Sequence, residues 1–377
     1  MFEVNVFKKN ICIFALLFIN FLFAYKYLYR VTNWAIPIAI VLTSISFLFL
    51  YKKRYSFPKY KYFEIGLLSS FFIVSFIVWY NLPVEKLNVD RWSVITSFWD
   101  AHFANIYPYF AKSNVGNPPG PMPFYFLLAL PFYSIGELGF LSLIGVLLFF
   151  FLLKYFKIEF QRRILILLFL LTAIFNLWEV TVRSNIFFNA TLVLGSLIYM
   201  IQLKEINMKS IIISSLLIGL LLSTRNVFAI PYIICVLYLL KKNLLNFKQL
   251  IYLGVFSFLF FCLTFLPFVY KYWDEFLEIN PFIVQSTFLI PFEYTLFFIF
   301  LGFVSVFFTQ KKEDVFLYSG IVLFLSILIY FIYHIIKLGF SHALHDNVVD
   351  ISYFILSVPF LLWYIVVDRN NLIEKPQ

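Results

Sequence analysis

Long apolar runs, repeated from one end of the chain to the other, restrict what this sequence can fold into. Hydrophobic residues make up 63% of its 377 residues, and charged residues make up only 13%. A water-soluble domain of this length could not bury so much apolar surface, and many of the runs are long enough for a helix to cross a lipid bilayer. The sequence therefore predicts an all-α, polytopic transmembrane helical bundle.

Hydropathy divides the chain into about twelve predicted spans. They lie at residues 11–29, 34–51, 63–81, 138–156, 164–178, 187–203, 210–224, 226–240, 250–270, 291–309, 315–336 and 351–367. A further apolar piece, residues 122–136, is short for a span and contains Pro131. We interpret it as a re-entrant or interfacial helix, a shape tolerated at membrane depth only against protein or water.

Positive charges predict the orientation of these spans. Most of the 29 Lys and Arg residues fall in short clusters between alternate spans, with the densest at 52–61. Because such clusters favour the cytoplasmic side, we expect both termini in the cytoplasm and the protein in the cell (inner) membrane. We assign the net charge of +10 to this role and expect no nucleic-acid partner.

The whole chain, 1–377, is interpreted as one integral membrane domain with three parts. Residues 1–62 form an N-terminal helical hairpin, residues 63–240 a catalytic core, and residues 241–377 a set of C-terminal helices. The predicted orientation puts three loops outside: 82–121, 271–290 and 337–350. Acidic residues and histidines collect in the outward turns and loops.

The longest polar interruption is the outer loop 82–121, which contains several Trp and Tyr residues. Loops of this length are usually functional or disordered, and the aromatic content argues against disorder. Asp90 and Arg91 lie among apolar residues with the spacing of an amphipathic helix on the membrane surface. Asp90 there could accept a proton from a sugar hydroxyl, with Asp100 as the second candidate base. Alternatively, Asp90 and Arg91 simply solvate a surface helix.

Other outward residues are candidate binding groups. Arg225, in the sequence STRN, could bind a lipid-linked phosphate, or could extend its side chain to the membrane interface from a simple hairpin. Glu179 and Arg183 could belong to the same site or could pair with each other at helical spacing. His102 could assist the base or contact the acceptor.

A histidine-containing group lies in the 337–350 loop. His342, His345, Asp346 and Asp350 could contact the acceptor or a pyrophosphate group. Their spacing matches no standard zinc pattern, so we predict no metal site.

Two stretches carry a resemblance to a known superfamily. Residues 90–109, DRWSVITSFWDAHFANIYPY, followed by NPPGPMPFYFLLALPFY at 117–133, resemble the GT-C glycosyltransferases. GLLLSTRN at 219–226 is similar to a segment of that superfamily with a basic residue near the lipid phosphate. The likeness extends over roughly residues 64–240. Two features differ: the loop follows the third predicted span rather than the first, and Arg91 follows Asp90 where a second acid is common.

The resemblance implies a polytopic enzyme that uses polyprenyl-phosphate sugars and needs no nucleotide cofactor. It implies that Asp90 is the general base and that Arg225 lies near the donor phosphate, where we also place Arg183. Candidate substrate contacts in the outward loops are Arg91, His102, Tyr107, Tyr109, Glu179, His342, His345 and Asp346.

We therefore expect a membrane glycosyltransferase that moves a sugar to a glycan, lipid or protein acceptor on the extracytoplasmic side, surrounded by membrane lipids and without a cofactor. An envelope polysaccharide polymerase or ligase is the first alternative, but those enzymes favour large, Arg-rich outward loops. A transporter is the second. The span centres here are almost purely apolar and no inverted repeat is evident, which disfavours it.

Overall fold

The computed structural model describes residues 2–51, 62–287, 291–346 and 349–367, and the regular structure in these residues is helical throughout. The first nine α-helices are α1 (Phe2–Leu28), α2 (Ala35–Tyr51), α3 (Phe63–Asn81), α4 (Ser93–Phe103), α5 (Pro123–Ile135), α6 (Phe140–Tyr155), α7 (Phe160–Thr172), α8 (Ile174–Val182) and α9 (Ile186–Gln202). The remainder are α10 (Met208–Leu222), α11 (Ala229–Lys241), α12 (Phe247–Val269), α13 (Trp273–Glu278), α14 (Pro281–Thr287), α15 (Phe292–Phe308), α16 (Lys312–Leu338), α17 (Phe340–His345) and α18 (Val358–Val367). Short 3-10 turns occur at Val84–Lys86, Pro108–Phe110, Asn226–Phe228 and Ile351–Ser357.

Several helices have the length and composition of membrane spans. Among the described residues, 4 helices pass this test: Val6–Leu28 within α1, then α3, α12 and α16. The number rises to 6 if the bent pairs α5–α6 and α7–α8 each count as one span. The predicted all-α class is therefore confirmed, whereas the twelve spans and their orientation stay predictions. The basic cluster 52–61 lies outside the described residues.

The apolar piece 122–136 forms α5, which is separated from α6 by a bend of 119°. Gly136 ends α5 with a φ of 84°, the left-handed conformation that glycine adopts without steric cost. The predicted break between this piece and the next span is thus present.

The predicted single span 164–178 is instead two helices, α7 and α8, bent by 56°. At the break, polar side chains form hydrogen bonds with backbone groups that a continuous helix would pair within itself. Asn20 Oδ1 of α1 accepts from the Ile174 amide at 2.7 Å, and Asn176 Nδ2 donates to the Leu170 carbonyl at 2.9 Å. The apolar run predicted as a span is therefore bent, and the residue that caps the break, Asn20, comes from a distant part of the chain.

The predicted amphipathic helix in the outer loop is α4, but its apolar face packs against protein. Phe98 stacks on Phe126 of α5 with ring centroids 3.7 Å apart, and Trp99 Nε1 donates to the Phe126 carbonyl at 3.2 Å. The side chains of Phe98 and Trp99 are both buried. The apolar face of α4 is therefore covered by aromatic residues of α5.

Close packing of α10 against α12 positions the loop that contains Arg225. A methyl group in place of the Gly219 hydrogen would come within 2.5 Å of the Ser257 carbonyl oxygen, so only glycine fits this approach. At the end of α10 the hydroxyls of Ser223 and Thr264 lie 2.6 Å apart. The last turn of α10 is thereby tied to α12.

Candidate active site

A cavity of about 480 Å³ lies among the ends of several helices and the outer loop. Its charged lining residues are Lys26, Asp90, Arg91, Arg225 and Asp350. Aromatic and amide side chains also line the wall, namely Tyr27, Asn88, Asn117, Tyr125, Trp178, Gln285, Tyr330 and Tyr353. Three of the predicted site residues, Asp90, Arg91 and Arg225, are thus brought together.

Asp90 lies three residues before α4, where the outer loop folds back on itself. Ser93 Oγ donates to Asn114 Oδ1 at 2.7 Å, which joins the beginning of the loop to its later part. Asn117 Nδ2 donates to Asp90 Oδ2 at 2.8 Å. This amide orients a half-buried carboxylate that faces the cavity and has a second oxygen able to accept a hydrogen bond.

Arg91 reaches across the cavity to the C-terminal part of the chain. Its guanidinium forms an ion pair with Asp350, and Nη2 donates to Ser352 Oγ at 2.8 Å. The same group lies 5.1 Å from the ring centroid of Tyr353. Burial by itself would lower the pKa of Arg91, but Tyr353 and Asp90 outweigh it and the pKa is raised. Arg91 is therefore a permanent cation.

Arg225 is a buried cation with unused hydrogen-bonding capacity. Its residue is only 7% exposed, and its Nε and Nη2 atoms are buried without a hydrogen-bond partner. The guanidinium lies between two rings, 5.4 Å from the centroid of Tyr125 and 5.3 Å from that of Tyr353. Among the described residues no ion pair includes Arg225. Because buried donors without partners are costly, this arrangement suits an anion that accepts two N–H bonds, such as a phosphate.

Gln285 of α14 holds the Arg225 loop to the proline-rich turn 117–121. Its Oε1 accepts from the Asn226 amide at 3.0 Å, and its Nε2 donates to the Gly120 carbonyl at 2.7 Å. One amide side chain therefore links two walls of the cavity.

Lys26 enters the cavity from α1 and is 2% exposed. Its Nζ donates to the Val349 carbonyl at 2.7 Å, which ties α1 to the C-terminal loop. The N-terminal hairpin, which the sequence resemblance leaves outside the catalytic core, thus contributes to the cavity wall.

Glu179 and Arg183 do not pair with each other and do not line the cavity. The Glu179 carboxylate is fully buried and accepts from Ser184 Oγ at 2.7 Å and from the Ile186 amide at 2.8 Å, so it caps the start of α9. Arg183 has a left-handed φ of 57° that ends α8 and directs its side chain to Glu137, 3.4 Å away. Burial lowers the pKa of Arg183, and Glu137 partly offsets the effect.

Asp100 and His102 lie on the other side of α4, away from the cavity. Asp100 is exposed and accepts a hydrogen bond from the Tyr133 hydroxyl. The His102 ring packs edge-on against Phe268 with centroids 5.2 Å apart. Burial, together with the charge of Lys271, lowers the pKa of His102.

Tyr107 and Tyr109 are buried in the same aromatic cluster. The Tyr107 hydroxyl donates to the Ile279 carbonyl at 3.0 Å, and the Tyr109 hydroxyl donates to the Pro121 carbonyl at 3.2 Å. Burial raises the pKa of both phenols. In this structure their hydroxyls are occupied by structural hydrogen bonds and do not line the cavity.

The histidine group of the 337–350 loop also lies outside the cavity. His342 pairs with Asp346 at the surface, and His345 stacks on Tyr29 with centroids 3.6 Å apart. Of this loop, Val349 and Asp350 are the described residues that line the cavity. No three His, Cys, Asp or Glu side chains in the described part of the chain are grouped to hold a metal ion.

Of the predicted histidine-containing group, Asp350 lines the cavity. Several other lining residues were not among the predicted site residues. Lys26 had a weak signal, as a lone cation near the end of an apolar span. Tyr125 and Tyr353 lie in apolar stretches and carry no signal that sequence alone could reveal.

Comparison of this chain with protein-family models, with curated proteins and with solved structures finds no match in any of the three. Its function must therefore be argued from the chemistry of the cavity.

Proposed function

We propose that this protein is a membrane glycosyltransferase that moves a sugar from a polyprenyl-phosphate donor to a glycan, lipid or protein acceptor on the extracytoplasmic side. The observation that carries the proposal is the shared cavity of Arg225 and Asp90. Arg225 offers two buried, unpaired N–H donors to a phosphate, and Asp90 offers a carboxylate to an acceptor hydroxyl.

The chemistry assigns one task to each group. The acceptor oxygen attacks the anomeric carbon, and its proton passes to Asp90, which Asn117 holds in place. The bond between the anomeric carbon and the phosphate oxygen breaks, and polyprenyl phosphate leaves. Arg225 stabilises the negative charge that grows on the departing phosphate.

An apolar groove supports a lipid-linked donor. It has a volume of about 500 Å³ and lies between α10, α11, α12 and α15. Leu222 and Ala229, which flank the Arg225 loop in sequence, line one part of it. We propose that the isoprenoid chain of a donor bound at Arg225 lies in this groove.

We further propose the topology that the basic residues indicate: about twelve spans, both termini cytoplasmic, an inner-membrane location and the cavity facing outward. Alkaline phosphatase fused after Asn114 should be active, because the enzyme folds only outside the cytoplasm. The same fusion after Lys59 should be inactive. The reverse pattern would contradict both the orientation and an extracytoplasmic site.

The enzymatic test uses the purified full chain in lipid nanodiscs. A panel of polyprenyl-phosphate sugars is added with an extract of envelope glycans and lipids as acceptors, and release of free polyprenyl phosphate is measured. We expect one donor to be consumed, with consumption lost in Asp90→Asn and retained in Asp274→Asn, an exposed acid on α13. Equal release from the wild type and Asp90→Asn, or none from any donor, would contradict the proposal.

A further inference from the structure

Asp90 and Arg91 are adjacent in sequence, which poses a chemical problem for a general base. An arginine within a few ångströms stabilises the ionised form of a carboxylate and so lowers its pKa. A carboxylate paired in this way is a weaker base and has fewer free lone pairs. The two neighbours must therefore be kept from pairing if Asp90 is to accept a proton.

The side chains of Asp90 and Arg91 are held by contacts with different parts of the chain. Asp90 receives its hydrogen bond from Asn117 of the outer loop. Arg91 instead pairs with Asp350 and donates to Ser352, both from the C-terminal region. Among the described ion pairs, Asp350 is the acid that Arg91 contacts.

Asp350 is itself fixed by the backbone. Its Oδ1 accepts from the Ser352 amide at 2.9 Å and so caps the 3-10 turn Ile351–Ser357, while Oδ2 faces Arg91. Each carboxylate oxygen thus has a separate partner. The side chain is anchored on one side and presents its charge to Arg91 on the other.

We propose that Asp350 is a positioning residue for the base, because its pairing with Arg91 keeps that guanidinium off the neighbouring Asp90 carboxylate. The inference rests on the proposed function and deepens it. The last outer loop then acts on catalysis through Arg91, without itself touching the reacting atoms.

Other charged groups in the cavity also affect the Asp90 carboxylate, so the variants that test the proposal must alter only Arg91 and Asp350. The titratable groups that face the cavity are Lys26 and Tyr27 from α1, Arg91 from the outer loop, Tyr125 from α5, Arg225 from the loop after α10, Tyr330 from α16, and Asp350 and Tyr353 from the C-terminal region.

The kinetic test compares Asp350→Asn, Arg91→Gln and the double variant. Asparagine keeps the oxygen that caps the 3-10 turn, so Asp350→Asn should fold. In Asp350→Asn, Arg91 loses its partner and should lower the pKa of Asp90. We therefore expect kcat to fall by about tenfold and the acidic limb of the pH–rate profile to move to lower pH, with little change in donor KM. Arg91→Gln should move that limb to higher pH.

In the double variant the limb should return close to its wild-type position, and most of the loss in kcat caused by Asp350→Asn should be recovered. A purely structural Asp350 would lower activity without a shift of the limb and without rescue. Additive losses, or an unmoved limb in Asp350→Asn, would overturn the proposal.

A second measurement does not depend on sugar transfer. Water-soluble carbodiimide reacts with protonated carboxyls, so mass spectrometry of Asp90 modification across pH reports its titration. We expect the midpoint to fall in Asp350→Asn, to return in the double variant and to stay unchanged in Asp274→Asn. A shifted midpoint in a protein without transferase activity would support the pairing and reject the enzyme. An unshifted midpoint in an active enzyme would reject the pairing alone.

Discussion

The outer loop 82–121 builds two regions that share a helix but differ in how their polar groups are used. The cavity region, residues 88–94 and 113–121, presents the Asp90 carboxylate, which accepts from Asn117 of the same loop, and Arg91, which pairs with the distant Asp350. The aromatic region, residues 99–110, pairs the indole N–H of Trp99 and the hydroxyls of Tyr107 and Tyr109 with backbone carbonyls. The first region presents its polar groups to the cavity, whereas the second uses its polar groups in hydrogen bonds within the fold.

This division has a physical reason. A catalytic carboxylate needs rigid support, because misplacement by an ångström costs a large part of the rate. The stacked rings of Phe98 and Phe126 and the edge-on ring of Tyr109 hold α4 against α5. Asp90 lies three residues before α4, and its carbonyl accepts from the Val94 amide at 2.9 Å, so the packing of α4 also positions Asp90.

The largest expected effect separates the two acids of the loop. Asp90→Asn should insert and fold normally yet lose transfer by roughly a hundredfold to ten-thousandfold, the usual contribution of a general base. Asp100→Asn should lose much less, because Asp100 lies on the aromatic side and contacts Tyr133. Initial rates at saturating donor measure both variants. Loss in Asp100→Asn with activity retained in Asp90→Asn would reverse the comparison.

Arg225→Ala should weaken donor binding by about tenfold to a hundredfold, since hydrogen bonds to charged groups contribute about 1.5–3 kcal/mol. The empty protein should keep its Tm or gain stability, because a buried cation with unpaired donors is removed. Donor Kd and Tm should be measured together, with Lys112→Ala, an exposed cation of the outer loop 82–121, as control. Unchanged donor Kd would place the phosphate elsewhere.

Tyr109→Phe should act on stability rather than on catalysis. The Pro121 carbonyl loses its hydrogen-bond donor, which costs about 1 kcal/mol and lowers Tm. The kcat of the folded fraction should stay near the wild-type value, as should that of Tyr107→Phe. A fall in kcat comparable with that of Asp90→Asn would move the aromatic region into the site.

The smallest effect is expected for the exposed pair of His342 and Asp346. Surface ion pairs contribute little, so His342→Ala and Asp346→Asn should change rate and Tm only slightly, by about twofold or less in rate. Asp350→Asn, four residues further on, is the matched contrast because it does line the cavity. Strong loss in His342→Ala would show that the site extends beyond the cavity.

The positions of the helices could largely be predicted, because polar residues in the sequence mark where each apolar run begins and ends. The span predicted at 63–81 is α3, Phe63–Asn81, and that predicted at 291–309 is α15, Phe292–Phe308. The break between α7 and α8 was not predictable, because the capping Asn20 is distant in sequence. The spacing of apolar residues indicates which segments favour a helix, but it gives no information on hydrogen-bond partners that are distant in sequence.

The site was predictable only where a polar residue stood out against its surroundings. Asp90 and Arg225 did so, and both line the cavity. Glu179 stood out equally but caps α9, because a polar residue in an apolar setting serves structure as often as function. Asp350 and Tyr353 meet Arg91 only through the tertiary fold.

The central claim, that one outward cavity binds the lipid-linked sugar, can be tested most directly by a cryo-EM structure of Asp90→Asn with a polyprenyl-phosphate sugar bound. The substitution should leave the donor intact in the site. We predict that the phosphate lies within hydrogen-bond distance of the Arg225 guanidinium and that the anomeric carbon faces residue 90. A donor phosphate bound at His342, at Arg183 or in the aromatic region, with the cavity empty, would contradict the account.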